Sequence, residues 1–152
     1  MNVSLHSRIH ITVRALLIGL AIAAVLCTSS WAASEKVLYR FHGKDGNVPV
    51  NVIIGPGGVL YGTTVDGGAN SCNSNGCGVV FQLTRSSDGK WQETVLHDFA
   101  GSDGMYPNGA IVADKSGNLY GTTVYGGPNG CSGLGCGVAF ELEKGRSGRW
   151  AF

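Results

Sequence analysis

The hexapeptide Leu-Tyr-Gly-Thr-Thr-Val occupies residues 60–65 of the chain and occurs again, unchanged, at residues 119–124. Upstream of it, residues 43–49 match residues 101–107 at an offset of 58, one residue shorter than the offset of 59 between the hexapeptides. Downstream, the offset of 59 relates a further set of paired positions: Gly67-Gly68, Cys72, Cys77, Gly78, Phe81, Leu83 and Trp91 recur as Gly126-Gly127, Cys131, Cys136, Gly137, Phe140, Leu142 and Trp150. One unit is therefore written twice, over about residues 37–94 and 95–152.

Each copy contains four short strand-like runs separated by turn-forming residues. The expected strands cover residues 50–54, 59–65, 78–84 and 91–99 in the first copy, and 110–113, 118–124, 137–143 and 150–152 in the second. Four antiparallel strands repeated at this spacing are typical of a propeller blade. The sequence predicts an all-β fold of two four-stranded antiparallel propeller-like blades, a partial β-propeller, with a β-sandwich as the alternative.

Length and composition exclude several classes of protein. The 152 residues allow one ordinary domain or two small ones. Eleven Lys and Arg residues against ten Asp and Glu provide no basic field for nucleic-acid phosphates. The 25 glycines exclude a protein of long helices, because glycine costs roughly 1 kcal/mol per helical position.

Residues 1–32 have the pattern of a cleaved signal peptide. Arg8 and Arg14 precede an apolar run over residues 15–27, and Ser30 and Ala32 then provide the small residues of a cleavage site before Ala33. The run is shorter than the roughly 20 apolar residues that a spanning helix needs. Cleavage leaves a net charge of −1 and four cysteines instead of five. We expect an exported protein (secreted, periplasmic or at the cell surface) without a stable membrane span after cleavage.

The repeated motif resembles that of the GloVer tandem-repeat family. Both copies contain Leu-Tyr-Gly-Thr-Thr, then Gly-Gly, then Cys-Gly-Val-x-Phe-x-Leu, and the resemblance covers residues 36–152. It implies an exported bacterial protein built of β repeats, and it implies no catalytic residue. The chain departs from the family pattern by a cysteine-containing loop in each copy, and we expect a second departure, two copies without a surface-sorting anchor.

The cysteine loops have the most specific chemistry in the chain. Cys72 and Cys77 enclose four residues in the first copy, as Cys131 and Cys136 do in the second. An even number of cysteines in an exported chain indicates disulfides. Pairing within each loop keeps the copies equivalent and closes the smallest rings. The alternative is a zinc site formed by all four cysteines.

Other candidate residues give no recognisable catalytic pattern. Neither histidine beyond the leader has a counterpart, since His42 aligns with Ala100 and His97 with Tyr39. Asp45 and Asp103 precede glycines at equivalent positions, so they are candidates for calcium sites or for Asp-Gly turns. Catalysis by Glu93 or Asp98 stays open, although no readable spacing pairs them. We assign no catalytic residue, no cofactor and no cofactor-binding residue.

Two functions are consistent with these patterns. The first is a non-enzymatic exported binding or surface-structural module, with ligands bound at the cysteine loops. The second is a fragment of a propeller enzyme acting on extracellular polysaccharide. The two copies share glycines, aromatic residues, cysteines and threonines. Residues of these types build a repeated fold rather than a single active site, which favours the first function. The expected partners are further copies of the chain, a carbohydrate or a protein. Because propellers usually contain 4–8 blades, we expect several chains to assemble or the chain to be a piece of a longer array.

Overall fold

The computed structural model describes residues 33–72, 74–128 and 131–152. Its strands form two four-stranded antiparallel sheets, and in each sheet the strands are neighbours in chain order. Sheet 1 contains β1 (Asn47–Ile54), β2 (Leu60–Asp66), β3 (Val79–Arg85) and β4 (Trp91–Asp98), and sheet 2 contains β5 (Val112–Ala113), β6 (Leu119–Thr122), β7 (Ala139–Lys144) and β8 (Trp150–Ala151). Short 3-10 turns occupy Pro56–Gly58 and Cys131–Gly133.

The all-β fold class is thereby confirmed, and two such sheets are compatible with part of a propeller and with a sandwich. The signal-peptide prediction for residues 1–32 lies outside the described residues. Among the residues that the structure describes, none forms a helix with the length and apolar character needed to cross a bilayer.

The glycine of each hexapeptide provides room for an aromatic ring. Gly62 in β2 pairs with Phe81 in β3, and Gly121 in β6 pairs with Phe140 in β7. A Cβ atom at either glycine would lie 2.5 Å from Cζ of the phenylalanine opposite. Since no side chain tolerates such a contact, the glycine lets the ring lie across the strand.

The second threonine of each hexapeptide stabilises the end of its strand. The hydroxyl of Thr64 donates a hydrogen bond to the carbonyl of Asp66 (2.8 Å) and accepts one from the backbone N–H of Val79 (3.2 Å). Thr123 makes the same two hydrogen bonds, to Tyr125 at 2.8 Å and from Val138 at 3.0 Å. The repeat in sequence is therefore also a repeat in hydrogen bonding.

The larger of the two hydrophobic clusters joins the two sheets. We call the face of sheet 1 that carries Tyr61 and Val80 its rear face, and the face of sheet 2 that carries Phe140 and Leu142 its front face. These two faces pack together, and the Tyr61 and Trp150 rings meet edge to face with centroids 5.7 Å apart. The buried members of the cluster are Tyr61, Cys77, Val80, Phe99, Met105, Ile111, Leu119, Phe140 and Leu142.

The front face of sheet 1 packs against the chain that precedes β1. Val79, Phe81 and Leu83 form a second buried cluster, on which Tyr39 and Phe41 pack. The Phe41 and Phe81 rings meet edge to face at 4.9 Å, as the Phe99 and Phe140 rings do at 5.2 Å. Residues 39–41 therefore occupy on sheet 1 the position that residues 97–99 occupy on sheet 2.

Candidate functional site

The cysteines are joined within each loop, in the pairing expected from the sequence. Cys72 is bonded to Cys77 with their Cα atoms 5.0 Å apart, and Cys131 is bonded to Cys136 with Cα atoms 5.2 Å apart. These pairings do not support a zinc site shared by all four cysteines. Each disulfide instead closes a short ring at the same end of its sheet, between the second and third strands.

Backbone hydrogen bonds attach each cysteine loop to the Asp-Gly turn that precedes the sheet. In the first copy, the N–H of Gly67 donates to the carbonyl of Asn75 (2.7 Å), and the N–H of Gly68 donates to the carbonyl of Gly43 (2.9 Å). The second copy repeats both bonds: Gly126 donates to Leu134 (2.8 Å) and Gly127 to Gly101 (3.0 Å). The loop is thus attached to the turn through main-chain atoms in both copies.

Close backbone approaches explain why these positions are glycines. A Cβ at Gly67 would lie 2.5 Å from the carbonyl oxygen of Gly43, and a Cβ at Gly76 would lie 2.3 Å from the carbonyl oxygen of Gly67. Both glycines also have positive φ angles, a backbone conformation that residues with side chains rarely adopt. The paired Gly-Gly motif is therefore part of the attachment of the loop.

A groove lies between the loop and the turn in each copy. Groove 1 has a volume of about 390 Å³ and is lined mainly by polar side chains, which include His42, Lys44, Asn47, Asn70 and Asn75. Groove 2 has a volume of about 540 Å³, and its lining includes Ser102, Met105, Pro128 and Leu134, together with Ser71 and Cys72 of the first loop. The two grooves lie at equivalent places in the two copies.

The backbone of the grooves is repeated, but the side chains that line them are not. Lys44 of groove 1 aligns with Ser102 of groove 2, and Asn47 aligns with Met105. Asn75 likewise aligns with Leu134. Groove 1 consequently offers amide, hydroxyl and cationic groups, whereas groove 2 offers a more apolar wall. The sequence drew attention to the cysteine loops but not to these lining residues, because only the fold brings the loop and the turn together.

The aspartates considered as calcium candidates stabilise the turns in which they lie. Asp45 accepts hydrogen bonds from the backbone N–H of His42 (2.6 Å) and from the hydroxyl of Tyr39 (2.6 Å). Asp103 makes the equivalent contacts, with the N–H of Ala100 at 2.8 Å and with Nε2 of His97 at 3.0 Å. Among the described parts of the chain, no three His, Cys, Asp or Glu side chains cluster as metal ligands do.

These contacts also shift the acidities of the groups involved. The hydrogen bond to Asp45 raises the pKa of Tyr39 to about 12. Partial burial acts to raise the pKa of Asp45, but hydrogen bonds from Tyr39 and His42 bring it below its ordinary value. Burial lowers the pKa of the His97 imidazole, although the Asp103 carboxylate opposes this effect. The Tyr39–Asp45 and His97–Asp103 pairs therefore each stabilise a turn through a hydrogen bond.

Glu93 and Asp98 lie on β4 in different surroundings. Burial, followed by the charge of Asp45, raises the pKa of Glu93 to about 7, and its Oε1 atom has no hydrogen-bond partner within the described residues. Asp98 accepts a hydrogen bond from the N–H of Ala69 at 2.7 Å, which links β4 to the first cysteine loop. Phe152 occupies the position of Glu93 in the second copy, so the carboxyl group of Glu93 is not a repeated feature.

The fold and the site define a class: an all-β tandem-repeat protein whose two units each carry a disulfide-closed loop. The chain belongs to the Gloeobacter/Verrucomicrobia repeat family, whose model matches residues 26–148. This match confirms the family expected from the Leu-Tyr-Gly-Thr-Thr motif. No curated protein and no solved structure matches the chain.

Proposed function

We propose that this protein is an exported, non-enzymatic binding or surface-structural module, built of propeller-like repeats, with ligands bound in the grooves beside the cysteine loops. The observation that carries the proposal is that the two grooves share a backbone but differ in the side chains that line them. Rigid scaffolds that hold variable loops are where proteins commonly place recognition. The two disulfides support export, because such bonds persist in oxidising compartments.

The lining of groove 1 fits a ligand rich in hydrogen-bonding groups. Asn47, Asn70 and Asn75 can each donate and accept hydrogen bonds, and Lys44 adds a positive charge. Sugar hydroxyls and peptide amides match such a surface. Groove 2 replaces two of these groups with Met105 and Leu134, so it fits a less polar part of the same or a neighbouring ligand.

The test exchanges the linings of the two grooves. The double variant Lys44→Ser/Asn75→Leu gives groove 1 two of the side chains of groove 2, and Ser102→Lys/Leu134→Asn makes the reverse exchange. Each introduced residue already occurs at the equivalent place in the other copy, so both variants should fold. Binding is measured by NMR titration with soluble xylan, alginate, dextran and a mixture of short peptides.

We expect a ligand of groove 1 to bind at least tenfold more weakly to the first double variant. In the second double variant, the same ligand should also change the chemical shifts of residues that line groove 2. Equal binding by the wild type and both variants would contradict the proposal. So would shift changes confined to residues remote from both grooves.

The polysaccharide-enzyme alternative is supported by one observation, the opposed acidities of two neighbouring carboxyl groups. Glu93 has a raised pKa and Asp45 a lowered one, a combination that general acid–base catalysis uses. The same polysaccharides, assayed for new reducing ends with the wild type and with Glu93→Gln, distinguish the two functions. Hydrolysis that Glu93→Gln abolishes would establish the enzyme, whereas binding without hydrolysis supports the module.

A further inference from the structure

The rear face of sheet 1 and the front face of sheet 2 pack together, whereas part of the front face of sheet 1 and part of the rear face of sheet 2 stay exposed. The strand register makes Ile111 the counterpart of Val52, since Ile53 pairs with Tyr61 as Val112 pairs with Tyr120. Ile111, on the front face of sheet 2, is 1% exposed because sheet 1 covers it, whereas Val52, on the front face of sheet 1, is 52% exposed. The same surface is thus covered in one copy and open in the other.

The rear face shows the converse difference. Tyr61, Cys77 and Val80 of the first copy are buried against sheet 2. Their counterparts in the second copy are more accessible: Cys136 and Ala139 are exposed, and Tyr120 is only partly buried. The rear face of sheet 2 therefore has the kind of surface that sheet 1 already uses to bind a front face.

Part of the outer edge of β7 is also unpaired. In sheet 1, β4 pairs with β3 along its whole length, from Arg85 to Val79. In sheet 2, β8 pairs with β7 only at Glu143 and Lys144. A cavity of about 530 Å³ lies along the remaining edge, and its lining includes Val138, Ala139, Phe140, Glu141 and Phe152.

Residues 37–41 have the features of a strand that can pair with this edge. They align with residues 95–99, the end of β4 and the residue after it, at an offset of 58. Tyr39 and Phe41 meet edge to face, as do His97 and Phe99. Val37 and Leu38 are exposed, at 54% and 39%. Residues 39–41 thus pack on sheet 1 as residues 97–99 pack on sheet 2. Residues 95–98 also pair with β3, whereas residues 37–41 pair with no strand of the described chain.

We propose that a second copy of the chain docks on sheet 2 head to tail and donates residues 37–41 as the fourth strand beside β7. The front face of its sheet 1 covers the rear face of sheet 2, with Val52 in the place that Ile111 takes within the chain. The register follows from the β3–β4 pairing, where Asp98 lies opposite Val79 and His97 opposite Val80. Arg40 of the second copy then lies opposite Val138, and its Tyr39 lies opposite Ala139.

Main-chain hydrogen bonds at the junction within the chain predict the hydrogen bonds between neighbouring copies. The N–H of Phe99 donates to the carbonyl of Gly78 (3.2 Å), and the N–H of Tyr106 donates to the carbonyl of Cys77 (2.9 Å). In the assembly, Phe41 and Val48 of the second copy donate to Gly137 and Cys136. Adding a strand to an open sheet edge is an established mode of protein association. Because the two surfaces differ, each copy can continue the assembly, which gives a ring or a filament.

The test uses one charged substitution on each surface, Val52→Asp on the front face of sheet 1 and Ala139→Arg on the rear face of sheet 2. Both positions are solvent-exposed in the single chain, so the fold should survive, and far-UV and near-UV circular dichroism verify this. Sedimentation equilibrium of the purified wild-type chain should show masses above the monomer. Each variant alone should be a monomer.

An equimolar mixture of the two variants provides the discriminating measurement. The Val52→Asp copy retains an intact rear face and the Ala139→Arg copy an intact front face, so the mixture should form a one-to-one dimer of twice the monomer mass. In a parallel experiment, Arg40→Cys with Val138→Cys should cross-link neighbouring copies on oxidation, whereas Tyr39→Cys with Val138→Cys, shifted by one residue, should not.

A monomeric wild-type chain would overturn the proposal and would leave these faces to other repeats. Association that survives both substitutions, or a mixture that stays monomeric, would also overturn it. The proposal is independent of the grooves, because Val52→Asp lies outside both of them. A folded Val52→Asp monomer that binds no ligand would count against the proposed function alone.

Discussion

At the scale of single residues, Gly62 lies in close contact with both a neighbouring strand and an aromatic ring. A Cβ there would lie 2.3 Å from the carbonyl oxygen of Asn51 as well as 2.5 Å from the ring of Phe81. At Gly121, in contrast, the three nearest atoms all belong to the side chain of Phe140. A ring can rotate or shift, but a paired strand cannot move without disturbing the sheet. The same glycine in the same hexapeptide therefore tolerates a methyl group differently in the two copies.

We predict that Gly62→Ala lowers the free energy of unfolding by about 2 kcal/mol and that Gly121→Ala lowers it by about 1 kcal/mol. Urea unfolding followed by circular dichroism measures both values. The double variant Gly62→Ala/Phe81→Leu should regain only part of the loss, because the contact with Asn51 persists. If both substitutions lowered the free energy of unfolding equally, the contact with the Asn51 carbonyl would not explain the cost at Gly62.

The carboxyl group of Glu93 makes stability depend on pH. Its pKa is about 7 in the folded chain and near 4.5 when unfolded, so the folded state binds more protons between these values. The stabilisation is complete below pH 4.5 and is lost as the pH rises through 7. We predict that Glu93→Gln melts several degrees above the wild type at pH 8 and at a similar temperature at pH 4. Thermal unfolding across this range, with the exposed Glu143→Gln as control, checks it; identical profiles for wild type and Glu93→Gln would refute it.

One residue-level equivalence is invisible when residues are compared by identity. Tyr39 and His97 align, but as different residue types they look unrelated in the sequence. The structure gives them one role, since the hydroxyl of Tyr39 and Nε2 of His97 each lie within hydrogen-bond distance of the aspartate of the following turn, at 2.6 and 3.0 Å. What the two copies share is a hydrogen-bonding group at a fixed position. Matching by chemical property instead of identity would have found it.

At the scale of elements, the two disulfide loops are alike in sequence but not in surroundings. Cys77 is fully buried at the junction of the sheets, whereas Cys136 is exposed. The entropic contribution of the two rings should be similar, because both close over the same sequence separation. Only the first disulfide also contributes to the core.

We predict that replacing Cys72 and Cys77 by alanine costs about 3 kcal/mol of unfolding free energy and that replacing Cys131 and Cys136 costs about 2 kcal/mol. Roughly 2 kcal/mol in each case comes from the unfolded chain, and the rest comes from the lost packing of Cys77. Thermal and urea unfolding of the two double variants provide the comparison. A larger cost at the second loop would mean that burial of Cys77 contributes little.

The strands of the sheets could be predicted because each has its own periodic pattern and turn signals. The expected segment 78–84 became Val79–Arg85, and the expected segment 59–65 became Leu60–Asp66. The expected segment 110–113 was shortened to Val112–Ala113. Ile111 lies outside the strand and is buried in the core between the sheets. The grooves were not predictable, since they depend on how a loop and a turn from different parts of the repeat meet.

At the scale of the whole molecule, stability depends on the shared core between the sheets. Ile111 and Val52 are equivalent in register, yet only Ile111 belongs to that core. Removing atoms from a buried side chain loses its transfer free energy and leaves a cavity, whereas an exposed side chain loses little.

We predict that Ile111→Ala costs about 3 kcal/mol and that Val52→Ala costs about 0.5 kcal/mol, both measured by urea unfolding in the Ala139→Arg background to prevent association. Tryptophan fluorescence reports the transition, because Trp150 packs against Tyr61 at the junction. A small effect of Ile111→Ala would mean that the two sheets are stable separately.

The meander order of the strands has a consequence for folding. Every strand of sheet 1 pairs with its neighbour in the chain, so all its pairing partners lie within Asn47–Asp98. Local pairing lowers contact order and speeds folding. Sheet 1 can therefore form its ladders as soon as these residues emerge from the ribosome. Its rear face then serves as the surface on which the second repeat folds, so that synthesis and structure advance in the same direction.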